Sequence, residues 1–227
     1  MVRKLEIDGL GCLCCPTDDK GKIAYILYPM DILADWIETA AAKYNSTIVV
    51  ITGMDWQNVF SPWPAKGVPK GSQDFKGESP EFLDLLQHSV IPQIEKRLDY
   101  TDEPERTLVG VSMSGLFALW QWMLCGTFTN IACLSGSFWY EGFVEWMRDR
   151  DIPAKSGKAY FLLGEQEAKS KVKAFASVSE NTKEIISLLD DAGVKTEFQS
   201  VPGSHYSNPI ERLDRAFTAL CCGIRPE

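Results

Sequence analysis

Apolar positions along this chain alternate between two periods. Lys22 to Tyr28 (Lys-Ile-Ala-Tyr-Ile-Leu-Tyr) and Thr47 to Thr52 (Thr-Ile-Val-Val-Ile-Thr) are nearly unbroken apolar, β-branched runs. The first reads as a strand, and the second predicts a strand buried on both faces. Between them Ile32 to Tyr44 reads as a helix. A longer helix is expected from Ser79 as N-cap, with Pro80 in its first turn and apolar residues at Leu83, Leu86, Val90, Ile94 and Leu98. Pro92 inside it predicts a bend, because proline lacks the N–H that a helix interior needs.

The alternation continues through strand Arg106 to Val111, helix Gly115 to Leu124 closed by Gly126, and strands Ile131 to Leu134 and Ala159 to Leu163. A helix over Lys173 to Ala192 ends on Gly193, the residue that left-handed C-terminal caps favour. The last strand is Thr196 to Val201, and a final helix from Asn208-Pro209 buries Ile210, Leu213, Phe217 and Leu220. Strands alternating with helices in this way predict a mostly parallel sheet with helices on both faces. No repeat, linker or low-complexity stretch interrupts the pattern, so residues 1–227 read as a single domain.

One stretch has neither period. Gly53 to Glu78 is rich in Gly, Pro, Trp and Phe. A loop of that length in a compact domain is usually functional. It follows a buried strand, so it is expected at the carboxyl edge of the sheet, where open α/β folds bind ligands.

Composition removes some classes of partner. A formal net charge of −8 argues against a nucleic-acid or anionic-membrane surface. No apolar run reaches the ~20 residues of a membrane helix. Met1 to Asp8 is charged and does not read as a signal peptide. The cysteines number seven, too few by one for complete pairing. Cys125, Cys133, Cys221 and Cys222 lie among apolar neighbours and read as small core residues. Cys12, Cys14 and Cys15 have the wrong spacing for a zinc knuckle and read as reduced thiols on an edge strand or loop. The expected compartment is the cytoplasm, and no metal is expected.

The chemistry concentrates at Leu108-Val109-Gly110-Val111-Ser112-Met113-Ser114-Gly115, between a strand and a helix. A nucleophile elbow needs a strained serine on a sharp strand-to-helix turn, with small residues two places before and after it. Gly110 and Ser114 satisfy that for Ser112, whereas a nucleophile at Ser114 would set Leu116 in a flanking position. A glycine-serine turn holding an anion at the helix N-terminus is the competing reading of this motif. Acyl transfer also needs a base, usually histidine. His88 lies within a helix, while His205 follows the last strand in Gly203-Ser204-His205. That places His205 where an α/β-hydrolase presents its base. The orienting acid is expected between the two, at Glu167, with Glu165 as the alternative. Backbone donors for an oxyanion are expected at Met113 and, after the strand ending at Thr52, at Met54 or Asp55. Among the loop aromatics, Trp56, Trp63 and Trp139 are read as pocket walls, with Phe60, Phe138 and Tyr140 nearby.

These motifs resemble the esterase family that includes enterochelin esterases, feruloyl esterases and esterase D. The resemblance rests on Val109-Gly110-Val111-Ser112-Met113-Ser114-Gly115-Leu116-Phe117-Ala118, Ser135-Gly136-Ser137-Phe138-Trp139, Leu163-Gly164-Glu165-Gln166-Glu167 and Gly203-Ser204-His205, and it spans residues 22 to 222. It implies an α/β-hydrolase that needs no cofactor and cleaves small acyl or aryl esters through an acyl-serine. By position it implies Ser112 as nucleophile, His205 as base and Glu167 as acid. The family's usual Gly-Gly after the nucleophile is Ser114-Gly115 here. Siderophore ester cleavage and acyl transfer to an alcohol by the same residues are the alternatives, with a non-catalytic binding module as the third. Self-association into a homo-oligomer is left open.

Overall fold

The computed structural model describes residues 1–28 and 34–221. Its elements in chain order are strands β1 (Arg3–Ile7), β2 (Leu10–Cys15) and β3 (Lys22–Leu27), helix α1 (Ala34–Tyr44) and strand β4 (Thr47–Thr52). After the long loop come α2 (Ser79–Leu85), a π-helical turn (Leu86–Val90) and α3 (Ile91–Arg97). Strand β5 (Glu105–Val111), helix α4 (Met113–Leu124), strand β6 (Asn130–Leu134), helix α5 (Phe143–Arg148) and strand β7 (Lys158–Gly164) follow. The chain closes with α6 (Lys173–Ala176), α7 (Val178–Asp191), β8 (Lys195–Val201) and α8 (Pro209–Cys221).

The strands form one eight-stranded sheet in the order β1-β2-β4-β3-β5-β6-β7-β8. From β4 to β8 every pairing is parallel, and β2 and β1 add antiparallel pairings at one side. Because strand side chains alternate between faces, each strand feeds two cores. Tyr25, Leu27, Val49, Leu108 and Phe161 point into one, with residues of α2 to α5 and α7. Ala24, Ile26, Val50, Val109 and Leu162 point into the other, under α1 and α8. The mostly parallel sheet with helices on both faces is therefore as the apolar pattern predicts. Among the described residues no helix is long and apolar enough to cross a membrane.

Several local expectations are corrected. The pair β1–β2 is a hairpin closed by Asp8-Gly9, both at positive φ (51° and 79°), the signature of a two-residue turn. It places Cys12, Cys14 and Cys15 on an interior strand, since β2 lies between β1 and β4. All three are buried free thiols, and burial pushes Cys12 up to about 11 and Cys14 up to about 12. The N-cap position of helix α2 is Glu78, without a side-chain capping bond, rather than Ser79, whose hydroxyl donates to the Val59 carbonyl. The proline at 92 is met by the π turn, where Ile91 N–H reaches back five residues to Leu86 O, rather than by a plain bend. The expected helix over 173–192 is two helices, α6 and α7, and α5 adds an unforeseen short one. Ile32, Leu33 and Cys222 lie outside the described residues.

Candidate active site

Three strand ends and one helix converge at the carboxyl edge of the sheet. At the end of β5, Ser112 adopts φ 57° and ψ −119° before the chain enters α4. A non-glycine residue there costs about 1–3 kcal/mol and persists only where its surroundings enforce it. Here the enforcement is explicit. Ser112 N–H donates to Leu134 O at 3.0 Å, and its carbonyl accepts from Leu116 and Ser137 N–H groups at 3.1 and 3.0 Å. Gly110 permits the close return of α4, because a Cβ at 110 would stand 2.1 Å from Ser114 O. Ser114 is fully buried, and its hydroxyl bridges Leu27 O and the backbone of Val111. The serine at this flanking position thus has a role of its own: its hydroxyl ties the ends of β3 and β5 together.

His205 lies on the loop between β8 and α8, and Glu167 begins a short 3-10 turn after β7. Their contact is direct, with His205 Nδ1 2.8 Å from Glu167 Oε2. The glutamate side chain is 5% exposed and the imidazole 27%. The other carboxylate oxygen, Oε1, accepts from Ser135 Oγ at 2.6 Å and Gly164 N–H at 2.7 Å, and pairs with Arg212 Nη1 at 3.3 Å. Burial pushes the Glu167 carboxyl up, but hydrogen bonds from His205, Ser135 and Gly164 N–H outweigh it and hold the group below the usual carboxylate range. A carboxylate facing Nδ1 fixes the Nδ1–H tautomer and leaves Nε2 with the lone pair. Glu165, the alternative acid, is exposed.

Arg212, which the sequence reading did not single out, is buried against these groups. Its side chain is 6% exposed; Nη1 donates to Ser135 Oγ at 2.5 Å, and Nη2 to the carbonyl of Ser204, next to His205, at 2.6 Å. It thus joins the acid to the loop that carries the imidazole. A signal existed, since Arg212 shares a helix face with Ala216 and Ala219, both buried. Ser135 at the end of β6, with φ 50°, is the other missed member. Gly164 is needed as well, because a Cβ there would fall 2.7 Å from Arg212 Nη2 and 2.9 Å from Glu167 Oε1.

Ser112 and His205 face a cleft with two lobes. One lobe, about 440 Å³, is walled by Trp139, Phe175 and Lys169, and the other, about 520 Å³, by Trp56, Phe75, Tyr28 and Met113. Ser112, His205 and Tyr206 border both. Among the described residues no hydrogen bond joins Ser112 Oγ to the imidazole; the Ser112 hydroxyl pairs with Ser137 Oγ at 3.3 Å. Trp56 and Trp139 therefore stand where pocket walls were expected. Trp63 does not: its indole N–H donates to Glu141 O, and its ring stacks on Phe143 and packs against Trp146. Its polar handle and flat face are used for packing. Met54 is not among the residues lining the cleft; it packs, partly buried, against the core, while β3 lies between β4 and β5. The strand beside the elbow is β3, and its neighbour Tyr28 lines the cleft instead. His88 is exposed in the π turn, paired with Asp84.

Comparison with known proteins supplies a family and a fold. A family profile described as "Putative esterase" matches residues 25–213. Over 162 residues the chain is 25% identical to the uncharacterised protein YbbA of Bacillus subtilis (strain 168), a match covering 69% of this chain and 65% of YbbA. Among solved structures, an IroE-like serine hydrolase from Shewanella oneidensis superposes with a TM-score of 0.78 at 16% identity, covering 98% of this chain and 80% of that one. The siderophore hydrolase EstB from Aspergillus nidulans gives 0.74 at 16% identity, covering 100% and 96%. The sheet and its helices are those of the α/β-hydrolase fold.

Proposed function

The chain belongs to the esterase family, and we propose that it is a single-domain serine hydrolase cleaving carboxylic esters, with Ser112 as nucleophile, His205 as base and Glu167 as orienting acid. The observation that carries this reading is the 2.8 Å contact of Glu167 Oε2 with His205 Nδ1, which leaves Nε2 as the basic nitrogen in the cleft that Ser112 also lines. The Ser112 proton passes to Nε2 as Oγ bonds to the ester carbon, and the carbonyl electron pair moves onto oxygen. Met113 N–H, the first donor of α4, receives that oxyanion. Collapse breaks the bond to the alcohol, which leaves with the proton from the imidazolium. Water then repeats the sequence on the acyl-serine, and Ser112 recovers its proton. Buried Glu167 stays ionised and stabilises the imidazolium in both halves.

The two lobes diverging from Ser112 support an ester with an apolar group on each side, a small acyl or aryl ester among them. Apolar and aromatic walls with few charges fit such a substrate better than a phosphorylated or highly charged one. Buried free thiols at Cys12, Cys14 and Cys133 support the cytoplasm as its compartment. The test is hydrolysis of p-nitrophenyl acetate and butyrate. Wild type turns both over, and Ser112→Ala loses about 10⁴-fold or more in kcat. Equal rates for the two proteins would remove Ser112 from the chemistry.

A further inference from the structure

Ser137 sits in the turn after β6, and its side chain is wholly buried. Its backbone is already spoken for. The N–H donates to Ser112 O at 3.0 Å, and the carbonyl accepts from Tyr140 N–H at 3.0 Å. The turn packs tightly on the elbow, since a Cβ at Gly115 would lie 3.0 Å from Gly136 Cα. Alanine at 137 would keep these backbone hydrogen bonds without burying a hydroxyl. A buried hydroxyl costs free energy unless it is hydrogen-bonded. Among the described residues the Ser137 hydroxyl has one partner, and that partner is Ser112 Oγ at 3.3 Å.

We propose that Ser137 is a further catalytic residue, whose Oγ–H donates to Ser112 Oγ whenever that oxygen carries developing negative charge. The inference rests on the reading of Ser112 as nucleophile. In the first half-reaction the proton of Ser112 moves to His205 Nε2 while the Oγ–C bond forms, and Ser137 keeps its own proton and steadies the electron pair on Oγ. In the second half-reaction water loses a proton to Nε2 and bonds to the acyl carbon. Collapse then breaks the C–Oγ bond, and the departing oxygen again meets the Ser137 donor before it is reprotonated by the imidazolium. Direction follows from the chemistry: Ser112 has one proton and must give it to the imidazole, so Ser137 supplies the donor of their pair. A hydrogen bond to a charged oxygen is worth about twice a neutral one, so the contact strengthens where the barrier lies. It thereby favours the transition state over the resting enzyme.

The test compares wild type, Ser137→Ala, Ser137→Cys and Ser112→Ala in the full chain. Two rates are read: phosphonylation by a fluorophosphonate and hydrolysis of p-nitrophenyl butyrate across pH. Ser137→Ala is expected to lose about tenfold in both the phosphonylation rate and kcat. Its KM and the shape of its pH profile stay in place. A turn that merely collapsed would displace the imidazole and change both. Ser137→Cys, which keeps a weaker donor, falls between the two and serves alone if the alanine variant does not fold. Wild-type rates in either Ser137 variant, with Ser112→Ala inactive, overturn the role of Ser137 only. Activity retained by Ser112→Ala would instead overturn the assignment of the nucleophile.

Discussion

At the amino edge of the sheet, Arg106 grips Glu95 through two parallel hydrogen bonds of 2.7 and 2.9 Å, and Tyr25 donates a third to the same carboxylate. At the carboxyl edge, Arg212 holds Glu167 from one side only, at 3.3 Å, and shares that oxygen with Ser135 and Gly164 N–H. Both pairs are largely buried, and both join a helix to the ends of strands. The difference is which lone pairs remain. Glu95 spends both oxygens on Arg106, so its network is closed and can only hold α3 against β5 and β3. Glu167 keeps Oε2 for His205, so its network opens onto the cleft. Arg212 is also the less satisfied of the two arginines, with Nε lacking a hydrogen-bond partner among the described residues. A buried polar group left short of a partner is uncommon and calls for an explanation. A sizeable cavity does not separate the two regions, since about 540 Å³ lies beside Glu95 and Arg106 as well. What separates them is a strained serine and an imidazole within reach of the carboxylate.

Substitutions can break this comparison. Glu167→Gln keeps the shape but loses the charge that orients and stabilises His205. Its kcat is expected to fall about 10³-fold, in the range seen when a triad acid is neutralised. Arg212→Met should cost about tenfold in kcat, because the acid and the Ser204–His205 loop lose their common tie. The mirror substitutions Glu95→Gln and Arg106→Met should leave kcat within about twofold while lowering Tm by several degrees, since breaking one partner of a buried pair is destabilising. Loss of activity in the amino-edge variants at unchanged Tm would erase the distinction.

The smallest effect is in pH dependence. Glu167 is held below the ordinary carboxylate range in the folded protein. In the unfolded chain it takes up its proton near pH 4.3, at about the ordinary glutamate value. The unfolded state therefore binds more protons at mildly acidic pH, and stability falls as pH falls. The contribution of this group is complete above roughly pH 5 and is lost as pH drops through the folded value. Thermal melts of wild type and Glu167→Gln at pH 6 and pH 4 should show the Tm gap between them narrowing. A constant gap would mean that Glu167 is not preferentially ionised in the fold.

Much of this arrangement was legible from residue order. The run Thr47–Thr52 is strand β4 to the residue, and Ser112, Glu167 and His205 follow β5, β7 and β8 as their chain order suggested. What escaped was decided by tertiary contacts. Arg212 shares the buried face of α8, but only the fold shows that Glu167 and Ser135 lie beneath it. Trp63 reads as a pocket wall, and only the Glu141 carbonyl shows where its N–H goes. Met54 was set by the wrong neighbour, because chain order does not reveal that β3 slots between β4 and β5. The hairpin of β1 and β2 did leave a trace, in Asp8-Gly9, but its strands alternate too weakly to stand out.

The central claim is that Ser112 is the nucleophile served by His205. Intact mass and tandem mass spectrometry after exposure to a fluorophosphonate test it most directly. A single adduct localised to Ser112 in wild type, greatly slowed in His205→Ala and absent in Ser112→Ala, is the result predicted. An adduct on another serine, or a His205→Ala variant labelled as fast as wild type, would contradict it.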